Sequence, residues 1–467
     1  MTLLHTPHEA LRCLWTAAGG DPSAPAAVAL EGEEPALPSS FAVGTAAQVS
    51  IAAAALAARE IGRLRGGPAQ QVRVHMRHAA AEFRSERYLR VNGAAPADPW
   101  DRIAGLYRTG DGWVRLHTNF EHHRDGMLAL LGCAYDKASV AQALLGWQAV
   151  ALETAAAEAG LCASALRSFE QWDAHAQGRA VAAMPVFSIE RLDDGLAPMP
   201  LAPLPAGALP LQGVRVLDLT RVIAGPVAGR TLAAYGADVM LITAPHLPAI
   251  ASLVPDTGRG KQAAQLDLRE AAGRDSLRSL LRGADVFLQA YRPGGLAALG
   301  FGPHELARLR PGIVVASLSA YGASGPWAPR HGYDSLVQTA TGFNAAEAEA
   351  AGAAQPQALP AQVLDHASGY LLALGIQAAL MRRMVHGGSW HVQVSLAQTA
   401  HWLRGLGRVA GGVTAADPGF DDVGDLLETS GSPFGTLTAV RHAGVLSATP
   451  PRWERPAVPL GTHAPAW

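Results

Sequence analysis

The sequence predicts an open α/β fold: a mainly parallel sheet built from βαβ units, joined to a smaller α+β domain. Three observations lead there. Between residues 213 and 318, short apolar strands alternate with tight turns and helices, the pattern of a parallel sheet with right-handed crossovers. A segment at 195–210, with proline at 198, 200, 203, 205 and 210, separates that half from the one before it. Such a segment favours extended backbone and a domain boundary. The run from Tyr370 to Met381 is apolar on nearly every side, as in a helix buried in a large protein.

Composition bounds the function classes. The chain has 467 residues, 49% apolar and 16% charged, enough for two or three domains around a sizeable core. A net charge of -2 and the lack of any dense Lys/Arg run exclude a nucleic-acid or lipid surface. Cys13, Cys133 and Cys162 show no metal or redox spacing, which fits a reducing cytosol. The first ten residues lack a basic region followed by an apolar core, so no signal peptide is expected. Arg and Gln interrupt the longest apolar runs before the roughly 18 residues a membrane helix needs. A cytoplasmic protein is expected.

Taken in order, residues 8–19 read as a helix. Residues 20–40 read as loop with one strand near 27–30. An alanine-rich helix follows at 46–63, ended by Gly66-Gly67-Pro68. Residues 71–76 alternate as a strand. The Gly110-Asp111-Gly112 turn between Leu106–Thr109 and Trp113–Leu116 marks a hairpin. Helices are expected at 122–132, 138–146, 149–158 and 163–175. Asn119, Glu121, His122 and His123 suggest a metal site at first sight. Adjacent histidines cannot share a helix face, so this is read as a helix start and no metal is expected. Residues 1–95, 96–194, 195–210 and 211–467 are taken as a partial repeat, a small domain, a linker and a large domain.

After the linker come strands at 213–219, 237–242, 284–288 and 313–318, with helices at 227–235 and 269–282. Ligands of such sheets bind beyond the carboxyl ends of the strands, so the following turns are where chemistry is sought. Ala224-Gly225-Pro226 lacks the dinucleotide G-x-G-x-x-G, yet its helix start suits an anion such as phosphate. Arg292 stands in the turn after a strand, where a guanidinium can hold phosphate. Lys261 precedes Leu266-Asp267-Leu268. Asp334 reads as a helix cap, and so does Asp365, which opens the 364–383 helix and would be held ionised by the helix dipole.

Together these residues resemble the class III coenzyme A transferases, the family of formyl-CoA transferase, carnitine-CoA transferase and α-methylacyl-CoA racemase. The resembling string runs L-x-G-V-R-V-L-D-L-T-R-V-I-A-G-P from Leu211 and Y-G-A-D-V from Tyr235. It continues with G-K-x-x-x-x-L-D-L from Gly260, R-P-G-G-L-x-x-L-G-F-G from Arg292, Y-G-x-x-G-P from Tyr321, G-Y-D-x-x-x-Q from Gly332 and D-x-x-S-G from Asp365. The resemblance implies a Rossmann-like large domain and CoA transfer from an acyl-CoA to a carboxylic acid. Asp365 would be the covalent nucleophile. It also implies that Arg221, Val222, Ile223 and Ala224 lie along the CoA, that Lys261 and Arg292 face its phosphates, and that Ala290 and Tyr291 flank the pantetheine. Coenzyme A is then substrate rather than resident cofactor, and a homodimer is implied.

Two alternatives stay open. The racemase branch needs a histidine in G-H-D, which here reads Gly332-Tyr333-Asp334, and His331 stands two residues before that position. A CoA-binding protein without turnover is the other, since no glycine-rich loop is evident in 96–190. Thr243-Ala244-Pro245 departs from the acidic residue the family has before proline.

The first half carries an echo of the second. Ala-Leu-x-x-Arg occurs at 55–59 and 379–383, and Gly-Gly followed by Val-x-Val at 66–74 and 387–394. Asp365 falls opposite Phe41 to Thr45, where no carboxylate stands and no parallel strand is expected upstream. Residues 106–186 resemble the family's small domain, which ordinary members carry after the nucleophile rather than before it.

Overall fold

The computed structural model describes residues 5–193 and 195–467; Asp194, the last residue of the expected small domain, lies outside them. Among the described residues, sixteen strands follow in chain order. β1 (Val28–Glu31), β2 (Val72–His75) and β3 (Arg90–Val91) belong to the first segment. β4 (Gly105–Arg108), β5 (Trp113–Leu116) and β6 (Ala163–Ala165) follow, then β7 (Phe187–Arg191). After the linker come β8 (Arg215–Leu219), β9 (Asp238–Thr243), β10 (Lys261–Gln265), β11 (Val286–Gln289), β12 (Val314–Ser319) and β13 (Trp390–Ser395). β14 (Leu427–Ser432), β15 (Gly435–Val440) and β16 (Val445–Leu446) end the series.

The main sheet has seven strands in the order β10-β9-β8-β11-β12-β13-β7. All its pairs are parallel except β13 with β7. The expected α/β architecture is therefore present, because apolar runs such as Val216-Leu217 and Val286-Phe287-Leu288 fill strands buried on both faces. The antiparallel edge strand β7 lies in what the sequence reads as the tail of the small domain.

The Val363–His386 helix runs through the middle of the core, and its residues 363–380 are all buried. By length and composition it could cross a membrane, yet its apolar 18-residue window is wholly buried inside the protein. The Val43–Leu64 helix packs along it, and Gln377 Nε2 donates to Ala54 O across the contact at 3.1 Å. Its buried face is alanine at 46, 47, 53, 54 and 57, so the two backbones approach closely. β1 and β2 flank the Val43–Leu64 helix in sequence and pair in parallel, just as β12 and β13 flank the other. The expectation that no parallel strand precedes the first helix is thus corrected.

One hydrophobic core joins residues from Ala10 to Leu446, so the stretch from Ala10 to Phe83 is built into the same body as the large domain. The β4-β5-β6 sheet has its own core, including Ile103, Val114, Leu116, Met127 and Leu152. One expected element fails. Residues 163–175 are not one helix: 163–165 form β6, paired with β5, and a helix starts at Phe169. Ser168 caps that helix through its bond from Gln171 N, with the Gln171 side chain returned to Ser168 N. The linker is docked: Met199 N donates to Arg383 O, Leu204 N to Arg65 O, and Arg65 Nη1 to Pro210 O.

Candidate active site

The turns at the carboxyl ends of β8, β11 and β12 meet the start of the Val363–His386 helix around one cavity of about 280 Å³. Arg221, Val222, Ile223 and Ala224 line it from the first turn, Ala290, Tyr291 and Arg292 from the second, and Asp365 from the helix. The strand-end rule thus gathers eight of the nine singled-out residues in one place. Val222 sits at φ 73. That is a left-handed conformation β-branched residues avoid, with a cost on the order of 1–3 kcal/mol. The turn is fixed by Arg221, which donates to Pro248 O at 3.1 Å and lies over the rings of Phe120 and Tyr291. The Ala224–Ala234 helix starts directly after it, and its first residue, Ala224, lines the cavity.

Lys261 is the exception. Its Nζ sits 2.8 Å from Asp218 Oδ2 and 2.8 Å from Pro226 O, with 1% of the side chain exposed. It ties β10 to β8 beneath the Ala224–Ala234 helix and does not line the cavity. Burial lowers its pKa, and the Asp218 charge opposes the shift. The expectation that it faces phosphate is corrected, because the adjoining strands direct it into the core.

Asp365 is not the helix cap. It is the third residue of the helix, behind Val363 and Leu364, with Gln362 at the cap position. The capping is done by Asp334, whose Oδ2 accepts from Leu364 N at 2.7 Å and Asp365 N at 3.0 Å. Gln338 Nε2 donates to the other oxygen. Two carboxyls therefore share one helix end, and the N–H donors go to Asp334. Burial pushes Asp334 up to about 6 against those hydrogen bonds. Asp365 is raised well above the carboxylate range by burial, then by the charges of Asp334 and Glu86. The shift runs against the expected dipole-held anion: burial and the neighbouring carboxyl charges favour the protonated form of Asp365. The next residue, His366, is engaged elsewhere, with Nε2 3.0 Å from Glu86 Oε2 and its ring stacked on Phe83.

The β4-β5-β6 unit closes one side of the cavity. Phe120 lines it, and His117 stacks on Tyr333 with ring centroids 3.8 Å apart. His117 is buried, and both its ring nitrogens lack a partner among the described residues; burial holds it neutral. His331 lines the cavity as well, and burial with nearby Arg292 lowers it to about 4. Phe120 and Tyr333 were not singled out as site residues. The G-Y-D motif was the available signal for Tyr333, whereas nothing local marks Phe120. Among the described residues no group of histidine, cysteine and carboxylate side chains is arranged to hold a metal. A neighbouring cavity of about 210 Å³ lies beyond β8, β9 and β10, lined by Ala244, His246, Leu266, Arg269 and Arg292 among others.

Residues 211–410 match the family model described as CoA-transferase family III. A "probable fatty acyl-CoA transferase Rv3272" of Mycobacterium tuberculosis is 36% identical over 210 residues, 42% of this chain and 53% of that protein. An acyl-CoA transferase of Gibberella moniliformis is 31% identical over 316 residues, 63% of this chain and 55% of that protein. The orthorhombic crystal structure of Rv3272 aligns with 36% identity and a TM-score of 0.39, covering 42% of this chain and 58% of that one. The chain spans about half the length of the curated relatives it matches.

Proposed function

Residues 211–410 match the model of CoA-transferase family III, and from that match we propose that the protein moves coenzyme A between an acyl-CoA thioester and a carboxylic acid through Asp365. The observation that carries the proposal is the meeting of Asp365 with three strand-end turns around one cavity. A carboxylate there can attack a thioester carbonyl. The C–S bond breaks, CoA leaves as thiolate, and a mixed anhydride forms on Asp365. The thiolate then attacks the Asp365 carbonyl, which releases the first acid and leaves an aspartyl-CoA thioester. The acceptor carboxylate repeats these two steps in reverse, so no atom or proton is gained overall. Asp365 reacts as the anion, so its raised pKa puts a deprotonation before the attack.

Arg221 to Ala224 would lie along the CoA, with Ala290 and Tyr291 on the pantetheine and Arg292 on phosphate. The apolar 210 Å³ cavity beside Arg269 and Arg292 suits the adenosine end. The oxyanion of each tetrahedral step is served by the free N–H groups at the start of the Ala224–Ala234 helix. The protein would act in the cytoplasm as a homodimer.

Mass spectrometry of the chain after exposure to a panel of acyl-CoAs tests the reading. A CoA or acyl adduct is expected on Asp365, and transfer should fall by on the order of 10⁴-fold or more in Asp365→Asn. An unmodified Asp365 across the whole panel would rule the mechanism out. A second reading, α-proton exchange of an acyl-CoA, draws on His331, a neutral imidazole lining the same cavity. Deuterium entering the α-carbon without any acceptor acid, and lost in His331→Ala, would favour it.

A further inference from the structure

A second cavity, about 400 Å³, adjoins the first, and Tyr291, Arg292, Pro293, Leu318 and Ser319 wall both. Its floor is one face of the main sheet. Parallel sheets covered on both faces carry apolar residues on each. The other face obeys this, with Val314, Ala316, Val392 and Val394 in the core beside the Val363–His386 helix. On the floor, the sheet changes character toward the carboxyl ends of its strands. Phe287 and Val315 pack into an apolar cluster, but one step further along stands a polar row. Gln289 of β11 pairs with Ser317 of β12, Ser317 with Gln393 of β13, and Gln393 with Ser188 of β7. Four neighbouring strands thus present amide, hydroxyl, amide and hydroxyl in register, at spacings of about 4.8 Å.

His391 stands beside this row, with Nε2 2.9 Å from Ser317 Oγ, and Glu190 pairs with it in the sheet. Among the described residues the side chains of Gln393 and Ser188 have no hydrogen-bond partner. Opposite the polar floor the walls are apolar: Met184, Leu296, Phe301 and Leu306. Arg292 is the one cation lining the groove among the described residues. A ligand that satisfies both surfaces has a carbon chain with hydrogen-bonding groups along one side. Neither a plain alkyl chain, which would strand the amides, nor a polyanion, which would meet Glu190, fits.

We infer that this groove receives the hydroxylated chain of the carboxylic acid exchanged at Asp365, so that the protein selects hydroxylated acids over alkyl ones. The inference rests on the CoA-transfer reading, and its test is chosen to fail separately from that reading. Gluconate and hexanoate are titrated into the full chain by calorimetry, in the wild type and in Gln393→Leu and Ser188→Ala. Gluconate should bind at least tenfold more tightly than hexanoate to the wild type. Loss of the amide should weaken gluconate by about tenfold and loss of the hydroxyl by about fivefold, with hexanoate binding not weakened. Ser188 lies on the edge strand, so Ser188→Ala keeps the test open if Gln393→Leu folds poorly. Equal binding of the two acids, or gluconate binding unchanged in both variants, overturns the inference. The expected pattern with no adduct ever formed on Asp365 supports the groove while removing the transfer mechanism.

Discussion

At Asp365 the decisive neighbour is another carboxyl. Asp334 takes the helix N–H groups and its charge raises Asp365. An asparagine at 334 can still accept those bonds through its oxygen but carries no charge. In Asp334→Asn the rising limb of the pH–rate profile is therefore expected to move to lower pH, read from kcat/KM across pH 4–9. The same shift bears on stability. Folded Asp365 keeps its proton at pH values where the unfolded chain, near 3.9, has lost it. Stability therefore falls as pH rises from about 4 toward the folded pKa. Asp365→Asn removes that slope, so urea melts should show the variant gaining on the wild type between pH 4 and 7. The Lys261–Asp218 pair gives the opposite case. Lys261→Met leaves a buried anion unpaired and should cost about 3–5 kcal/mol by denaturant melt. Adding Asp218→Leu should recover most of the loss. None of this is visible in the chain order of residues: Asp334 lies 31 positions before Asp365, and Lys261 is directed inward by strand pairing rather than by its sequence neighbours.

Elements were more legible than side chains. The βαβ alternation from 213 to 318 identified the sheet because apolar runs and glycine turns are local signals. The 163–175 stretch departs from the single helix expected there, and Ser168-x-x-Gln171 is a capping box that marks the helix start at 169. β1 was legible as a strand, but its parallel pairing with β2 depends on the intervening helix folding back. Where elements cross, glycine sets the distance. A Cβ on Gly369 would come 2.6 Å from Ala224 O and 2.8 Å from Val227 Cβ, so the core helix presses on the start of the Ala224–Ala234 helix. Gly369→Ala should displace that start and the strained turn before it. A stability loss of about 1–3 kcal/mol is expected, with KM for acyl-CoA raised more than kcat is lowered, checked by melts and steady-state kinetics.

The whole molecule joins parts far apart in sequence. Residues between Ala10 and Phe83 share a core with residues between Leu211 and Leu446, and the linker is held down by Arg65 and the end of the core helix. At the start of the Val43–Leu64 helix, Glu34 accepts from Thr45 N at 2.6 Å and Ala36 N at 3.2 Å. A Cβ on Gly44 would come within 3 Å of Ala36, Glu34 and Met76. The first copy's helix end is therefore filled by its own preceding loop, leaving no opening like the one at Asp365. The wall that Phe120 and His117 bring to the cavity comes from the same chain as Asp365, more than 240 residues earlier. The consequence is kinetic. A pocket assembled within one polypeptide does not come apart when the protein is made scarce. Turnover per chain should stay constant from micromolar enzyme down to nanomolar, whatever the state of association that light scattering reports over the same range.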